Sequence, residues 1–204
     1  MKRLIIGLMA ITLPLAACGD DTAERAGTTE PADTSAPAAV PSRIISLSPT
    51  ATEMMFAIGA GDQLIAVDEF SNYPEAALEL PNDLSGFEPN AEAIAALEPD
   101  LVLHDGTTSL GESLDALGIT HWVGAAATAF DDIYAQIEQL GAATGHVGEA
   151  AELVGQMQTD IESILADAPK PAEPLTYFHE LDNTLYSVTS NTFIGQVYGA
   201  FGLQ

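Results

Sequence analysis

The 204-residue chain is short of positive charge. Five Lys and Arg stand against thirty Asp and Glu, a formal charge of −25. Nucleic-acid binding needs clustered cations that displace counterions from phosphates, so that class is excluded. A polyphosphate ligand or an anionic lipid surface would meet a repelling body. A single cysteine, Cys18, has no intramolecular disulfide partner. The sequence contains no G-x-S-x-G elbow, P-loop, G-x-G-x-x-G, H-E-x-x-H or C-x-x-C. Serine hydrolases, nucleotide-binding enzymes and zinc peptidases therefore lack their signatures here. An enzyme on this chain has no catalytic constellation to rest on, and no cofactor motif is present. What is present is an apolar content of 47%, ordinary for a globular protein. The length suits one domain, or one and a half lobes.

The N-terminus gives an address. Lys2 and Arg3 precede an apolar stretch, 4–13, too short to span a bilayer as a stable helix. Small residues follow, in the shape of a secretory signal peptide. Leu15-Ala16-Ala17-Cys18 resembles a bacterial lipobox, after which cleavage leaves Cys18 to be lipidated. The alternatives are an ordinary signal peptide with a chance cysteine, or a short membrane anchor. With residues 1–18 as lipoprotein signal, the mature chain keeps three cations against thirty acids, −27. It would sit outside the cytoplasmic membrane, tethered by lipid. Residues 19–41 are rich in Ala, Thr, Asp and Pro without apolar periodicity, and read as a flexible tether.

Folded sequence begins near Ser42. Short apolar strands are expected at 43–47, 64–67, 101–103 and 119–123, with helices at 51–58, 91–98 and 109–117 between them. Thr50 and Glu53 match a capping box, Asn90 is a fair N-cap, and Gly118 follows the third helix. This alternation predicts an α/β fold, a parallel sheet with helices on its faces, over residues 42–127. Residues 128–170 then hold two helices, 130–143 and 147–168. In the longer one Ala150, Val154, Met157, Ile161, Ile164 and Leu165 form an apolar stripe, on a rod of roughly 30 Å. Pro169, Pro171 and Pro174 close it. Residues 171–204 open a second unit with strands expected at 175–179 and 185–188 and a helix at 193–201. So small a lobe has too little core to stand alone, so the second lobe reads as truncated.

Four histidines occur, at 104, 121, 146 and 179. His146 is expected to be solvated, and His121, beside Trp122 in the fourth strand, to be structural. His104 and His179 each fall at the C-terminal end of an expected parallel strand, where ligands of open α/β sheets bind.

The run RIISLSPTATEMMFAIGAGDQLIAVDEFSNYP, followed by PNAEAIAALEPDLVL, resembles the N-terminal lobe of the cobalamin and iron-siderophore class of ABC-transporter substrate-binding proteins. The likeness covers about 43–123 and extends less sharply through the long helix to TFIGQVYGAFG. It implies two Rossmann-like lobes joined by one rigid helix, the second lobe incomplete here, with ligand held between them. It implies an extracytoplasmic receptor that captures a metal chelate and delivers it to an ABC permease and its ATPase. A monomer is expected. A lipid-anchored sensor or adhesion module on the same fold is the alternative. Glu92 lies ~160° around its helix from Ile94 and ~140° from Leu97, so it faces water if those two face the core. By resemblance, a Glu at this position pairs with an arginine of the permease. The family's second docking carboxylate has no counterpart: Gln196 follows Thr192-Phe193-Ile194-Gly195.

Cleft candidates follow from the strand ends. Phe70 and Tyr73 match positions where similar proteins flank a macrocycle or siderophore with aromatics, and Phe87 belongs to the rim. His104 and Asp105 follow the third strand. Tyr177, His179, Glu180 and Tyr186 come from the second unit. Aromatics with a few polar groups suit a large, partly apolar ligand. No protein metal site is expected, although His104 and His179 together could ligate the metal of a bound chelate. Scarce cations disfavour a tricatecholate, so a neutral or cationic corrinoid, haem or hydroxamate complex fits better.

Overall fold

The computed structural model describes residues 39–169, 172–173 and 175–204. The signal peptide, Cys18, most of the tether, Lys170, Pro171 and Pro174 lie outside the described residues.

Four parallel strands are packed in the order β2-β1-β3-β4: β1 Ile44–Ser46, β2 Leu64–Val67, β3 Leu101–His104 and β4 His121–Val123. Strand β1 is central, with Ile44 aligned to Leu64 on one side and Leu101 on the other. A strand covered on both faces reads as a continuous apolar run rather than an alternation. Ile44, Ile45, Val102 and Leu103 accordingly show no exposure. One face packs on α1 (Pro49–Ala57), α4 (Phe130–Thr144) and α5 (Val147–Asp167), through Met54, Met55, Ile58, Ile137, Leu140, Ala150 and Val154. The other packs on α2 (Ala91–Ala95) and α3 (Leu110–Leu117), through Ile94, Leu110 and Leu114. Each such Met, Ile, Leu or Val side chain, fully buried, contributes roughly 1.5–3 kcal/mol.

The expected α/β alternation is present, with two local corrections. Helix α1 starts earlier than the Thr50/Glu53 capping box would have it. Ser48 is the N-cap, its hydroxyl accepting from the Ala51 N–H, and Pro49 takes the first helical position. Proline's fixed φ and missing N–H suit that position, so Ser-Pro outcompetes the Thr two residues on. Thr50 and Glu53 are exposed. In α2, Ile94 is buried and Glu92 faces water, but Leu97 stays 38% exposed because the helix ends at Ala95.

Helix α5 runs unbroken for 21 residues. Its stripe is buried only in the first half, at Ala150 and Val154, while Ile164 is 57% exposed. The far half instead contributes Ile161, Ile164 and Leu165 to an apolar hollow with Phe130, Val197, Ala200 and Phe201 of α4, α6 (Phe193–Ala200) and its C-cap. The strands expected at 175–179 and 185–188 do not form. The segment makes one isolated antiparallel bridge, Glu180 with Ser187, and Gln204 donates to the Leu175 carbonyl while accepting from the Tyr177 N–H. An apolar run becomes a strand only when a ladder partner lies along its length, and here the pairing is single residues.

Candidate functional site

The strand order places a topological switch at β1: the chain leaves it for β2 on one side and later returns to β3 on the other. Open α/β sheets bind ligands in the crevice outside the strand C-termini at such a point. A depression of about 180 Å³ lies there, lined by Leu47 and Pro49 after β1, Asp68 and Phe70 after β2, Gly86 and Phe87, and Asp105 after β3. The rings of Phe70 and Phe87 meet edge to face, centroids 5.4 Å apart, and both side chains are largely exposed. Among the described residues, no cation lines the hollow. At this size it accommodates one edge of a bulky molecule rather than the whole. A larger groove, about 450 Å³, lies between α1 and α5, away from the strand C-termini.

Of the sequence-derived candidates, the structure brings Phe70, Phe87 and Asp105 together at this edge. Tyr73 stands exposed nearby in sequence without joining the lining. The Asp105 carboxylate is held by the N–H and hydroxyl of Thr107, at 2.9 and 2.8 Å. Tyr177, His179, Glu180 and Tyr186 are not part of the hollow. Tyr177 and His179 instead gather around Tyr198 of α6: the Tyr177 ring lies 4.2 Å from it, and His179 Nδ1 is hydrogen-bonded to its hydroxyl at 2.8 Å.

His104 departs from its expected place. Its ring is 4% exposed and turned toward α3, on the face shared with Val102. The Gly106 N–H donates to its Nδ1 at 3.2 Å, which leaves the hydrogen on Nε2. That nitrogen donates to His121 Nδ1 at 3.0 Å, and His121 Nε2 donates to Asp115 at 3.3 Å. Both His104 nitrogens are engaged, so joint ligation of a chelate's metal with His179 has no free lone pair on this side. Burial, and then the neighbouring His121, push the His104 pKa down. Gly111 of α3 permits the close approach: a Cβ there would lie 3.1 Å from the His121 ring and 3.6 Å from that of His104. Period-two alternation was the available signal, since a residue two after buried Val102 shares its face.

Sequence reasoning missed Asp68. It directly follows β2 with 2% exposure and lines the hollow. Its Oδ1 is hydrogen-bonded to the Ser71 hydroxyl, which in turn meets Thr52 Oγ1 of α1 at 2.8 Å. Thr52 Oγ1 is 2.8 Å from Ser46 Oγ, and Ser46 Oγ is 3.1 Å from the Ser48 carbonyl. Burial pushes the Asp68 pKa up, against hydrogen bonds from the Ser71 hydroxyl and from the N–H groups of Ser71 and Asp68, which lower it. Isolated Ser and Thr residues carry no sequence signal for such a chain; only folding aligns them.

Glu92 is exposed on α2, whose first N–H groups are capped by Asn90 Oδ1 at 3.0 Å to both Glu92 and Ala93. At the other end of α2 the Arg43 guanidinium donates to the Leu97 and Glu98 carbonyls, at 2.6 and 2.9 Å. It is the one arginine among the described residues, and it is spent on a helix end rather than on an acid.

Comparison with known proteins agrees with this geometry. The family model of periplasmic binding proteins matches residues 44–204. The chain belongs to that family. It is 32% identical over 169 residues to a cobalamin-binding protein of Halobacterium salinarum, covering 79% of this chain and 45% of that one. An ABC-transporter substrate-binding lipoprotein of Bacillus subtilis is 31% identical, covering 77% of this chain and 52% of its own. Among solved structures, the periplasmic vitamin B12-binding protein of Vibrio cholerae superposes with a TM-score of 0.67 at 30% identity, covering 80% of this chain and 65% of that one. The periplasmic haem-binding protein of the same organism superposes with a TM-score of 0.68 at 26% identity, covering 79% and 64%. The chain thus spans about half the length of the two sequence relatives.

Proposed function

We propose that this periplasmic binding protein is the extracytoplasmic receptor of an ABC importer that captures a metal chelate of the corrinoid, haem or ferric hydroxamate type. The observation that carries the reading is the Phe70–Phe87 pair at a hollow on the sheet's switch point that no cation lines among the described residues. Aromatic edges with few polar groups suit a broad, partly apolar ring system. The relatives named for cobalamin, vitamin B12 and haem support the same class. Calorimetry of the protein against cyanocobalamin, haem and a ferric hydroxamate tests it. One of the three binds; failure of all three rejects the reading.

Delivery to the permease rests on Glu92. An exposed carboxylate on a short helix, on a surface with so few cations, is free to meet a basic loop of the permease. Glu92→Ala is expected to lower uptake while leaving ligand affinity unchanged; unchanged uptake removes the docking role. Cys18 is the lipid attachment point in this proposal, and Cys18→Ser is expected to release the protein from the membrane fraction. A lipid-anchored sensor without transport is the second reading. What favours it is Gln196, whose side chain donates to the Thr128 carbonyl at 2.6 Å instead of offering a second docking charge. Normal uptake by cells lacking the protein would select that reading.

A further inference from the structure

The hydroxyl chain beneath the hollow contains a count that decides the state of Asp68. It has four links: Ser46 to the Ser48 carbonyl, Thr52 to Ser46, Ser71 to Thr52, and Asp68 to Ser71. Each link needs one hydrogen. The three hydroxyls supply three, and the carbonyl supplies none. With Asp68 ionised, one contact holds two facing lone pairs however the hydroxyls rotate. With Asp68 protonated, its O–H donates to Ser71, and every link is filled in one direction down to the Ser48 carbonyl. A buried network satisfied throughout is strongly favoured over one missing a hydrogen.

Burial and the neighbouring acids favour the same state, against the N–H groups of Ser71 and Asp68, which favour the ion. The titratable groups facing Asp68 are Glu69, next along the chain, and Asp105, across the hollow after β3. Both are acids. Glu53 on α1 and Glu88 beside Phe87 point into solvent, and among the described residues no cation lines the hollow. The second Asp68 oxygen, Oδ2, has no side-chain hydrogen-bond partner among the described residues. It lies beside Gly86, where an added Cβ would come within 3.1 Å of it and 2.8 Å of the Leu47 carbonyl. Gly86 therefore leaves that oxygen uncovered on the floor of the hollow.

We propose that Asp68 is a neutral carboxylic acid whose free carbonyl oxygen recognises an uncharged N–H or O–H donor, of the carboxamide class, on the rim of a ligand lying against Phe70 and Phe87. The proposal rests on the solute-binding reading above and narrows it. A carboxamide-rimmed ring presents donors to Oδ2. A carboxylate-rimmed ring presents only acceptors, to an oxygen that is itself an acceptor and beside the charge of Asp105.

Asparagine reproduces the neutral acid at this position: its amide N–H₂ can donate to Ser71 and its carbonyl can face the hollow. Infrared difference spectra of the ligand-free protein against Asp68→Asn should show a carboxylic-acid carbonyl band at neutral pH that the variant lacks; its absence overturns the proposal. Binding is then measured with two probes, cyanocobalamin and the same corrinoid with its carboxamides hydrolysed to carboxylates. Wild type should prefer the carboxamide form by about tenfold or more. Asp68→Asn should keep that preference, and Asp68→Ala should lose about tenfold in affinity for the carboxamide form. Equal loss in the Asn and Ala variants would mean that a charged carboxylate is required, and would refute the idea. An acid band with no binding of either corrinoid, of haem or of the ferric hydroxamate would reject the solute-binding reading itself, and the recognition role of Asp68 with it.

Discussion

The sheet region and the segment after α5 contain similar apolar runs and meet different fates. Val102 and Leu103 of β3 are fully buried between two layers of helices. Phe178 and Leu185 are 79% and 84% exposed, and Leu181 and Tyr186 are more than half exposed. Composition does not separate the two. What separates them is a ladder partner on each side and a helix on each face, which β1 and β3 have and residues 175–188 lack. Burial, not apolarity, is the source of stability.

The largest test of that contrast is in the core. Leu103→Ala is expected to cost about 2–5 kcal/mol in urea unfolding, because a fully enclosed side chain leaves a cavity. A cost under ~1 kcal/mol would mean that the sheet is no better packed than the segment after α5. The histidine pair comes next. His104→Leu leaves His121 without its donor and is expected to cost about 1–3 kcal/mol at neutral pH. The sign of the pH effect follows from the lowered native pKa of His104. Its stabilising contribution is complete above the unfolded value, about 6.5, and is lost as pH falls from there through the lower native value. Wild type should weaken over that interval relative to His104→Leu; parallel curves would contradict a buried, neutral His104.

Asp68 acts in the opposite direction, since its native pKa is raised. Its contribution is complete below the unfolded carboxylate value, about 3.9, and declines as pH rises through the native one. Other carboxylates titrate in the same range, so the difference between wild type and Asp68→Asn is the quantity to follow. It should grow with rising pH in favour of the variant. Asn90→Ala removes the cap of α2 and is expected to cost ~1 kcal/mol. The smallest effect belongs to Phe178→Ser, within ~0.5 kcal/mol. Hydrogen exchange should agree: amides of β1 and β3 protected, those of 178–186 exchanging rapidly. Protection there matching the sheet would erase the contrast.

Legibility followed the range of the interactions. Strand and helix positions through 123 were readable because period, caps and Gly stops are local, as at Asn90 and Gly118. Phe70, Phe87 and Asp105 were readable as strand-end residues. His104 was misplaced because its strand-end position outweighed the alternation that puts it on the face of Val102, the layer where Gly111 leaves room for its ring. Asp68 was overlooked because its partners are 3, 16 and 22 positions away, at Ser71, Thr52 and Ser46.

The sequence by itself determined the alternation of strands and helices, the acid excess, and the exposure of Glu92, since period and charge are properties of neighbouring residues. Only the tertiary structure decided that His104 is shut away against His121, that 175–188 carries no strand, and that three hydroxyls and one carboxyl share a proton count beneath the aromatic pair. Those outcomes depend on which groups meet across the fold, and contact between distant residues is not written in local pattern.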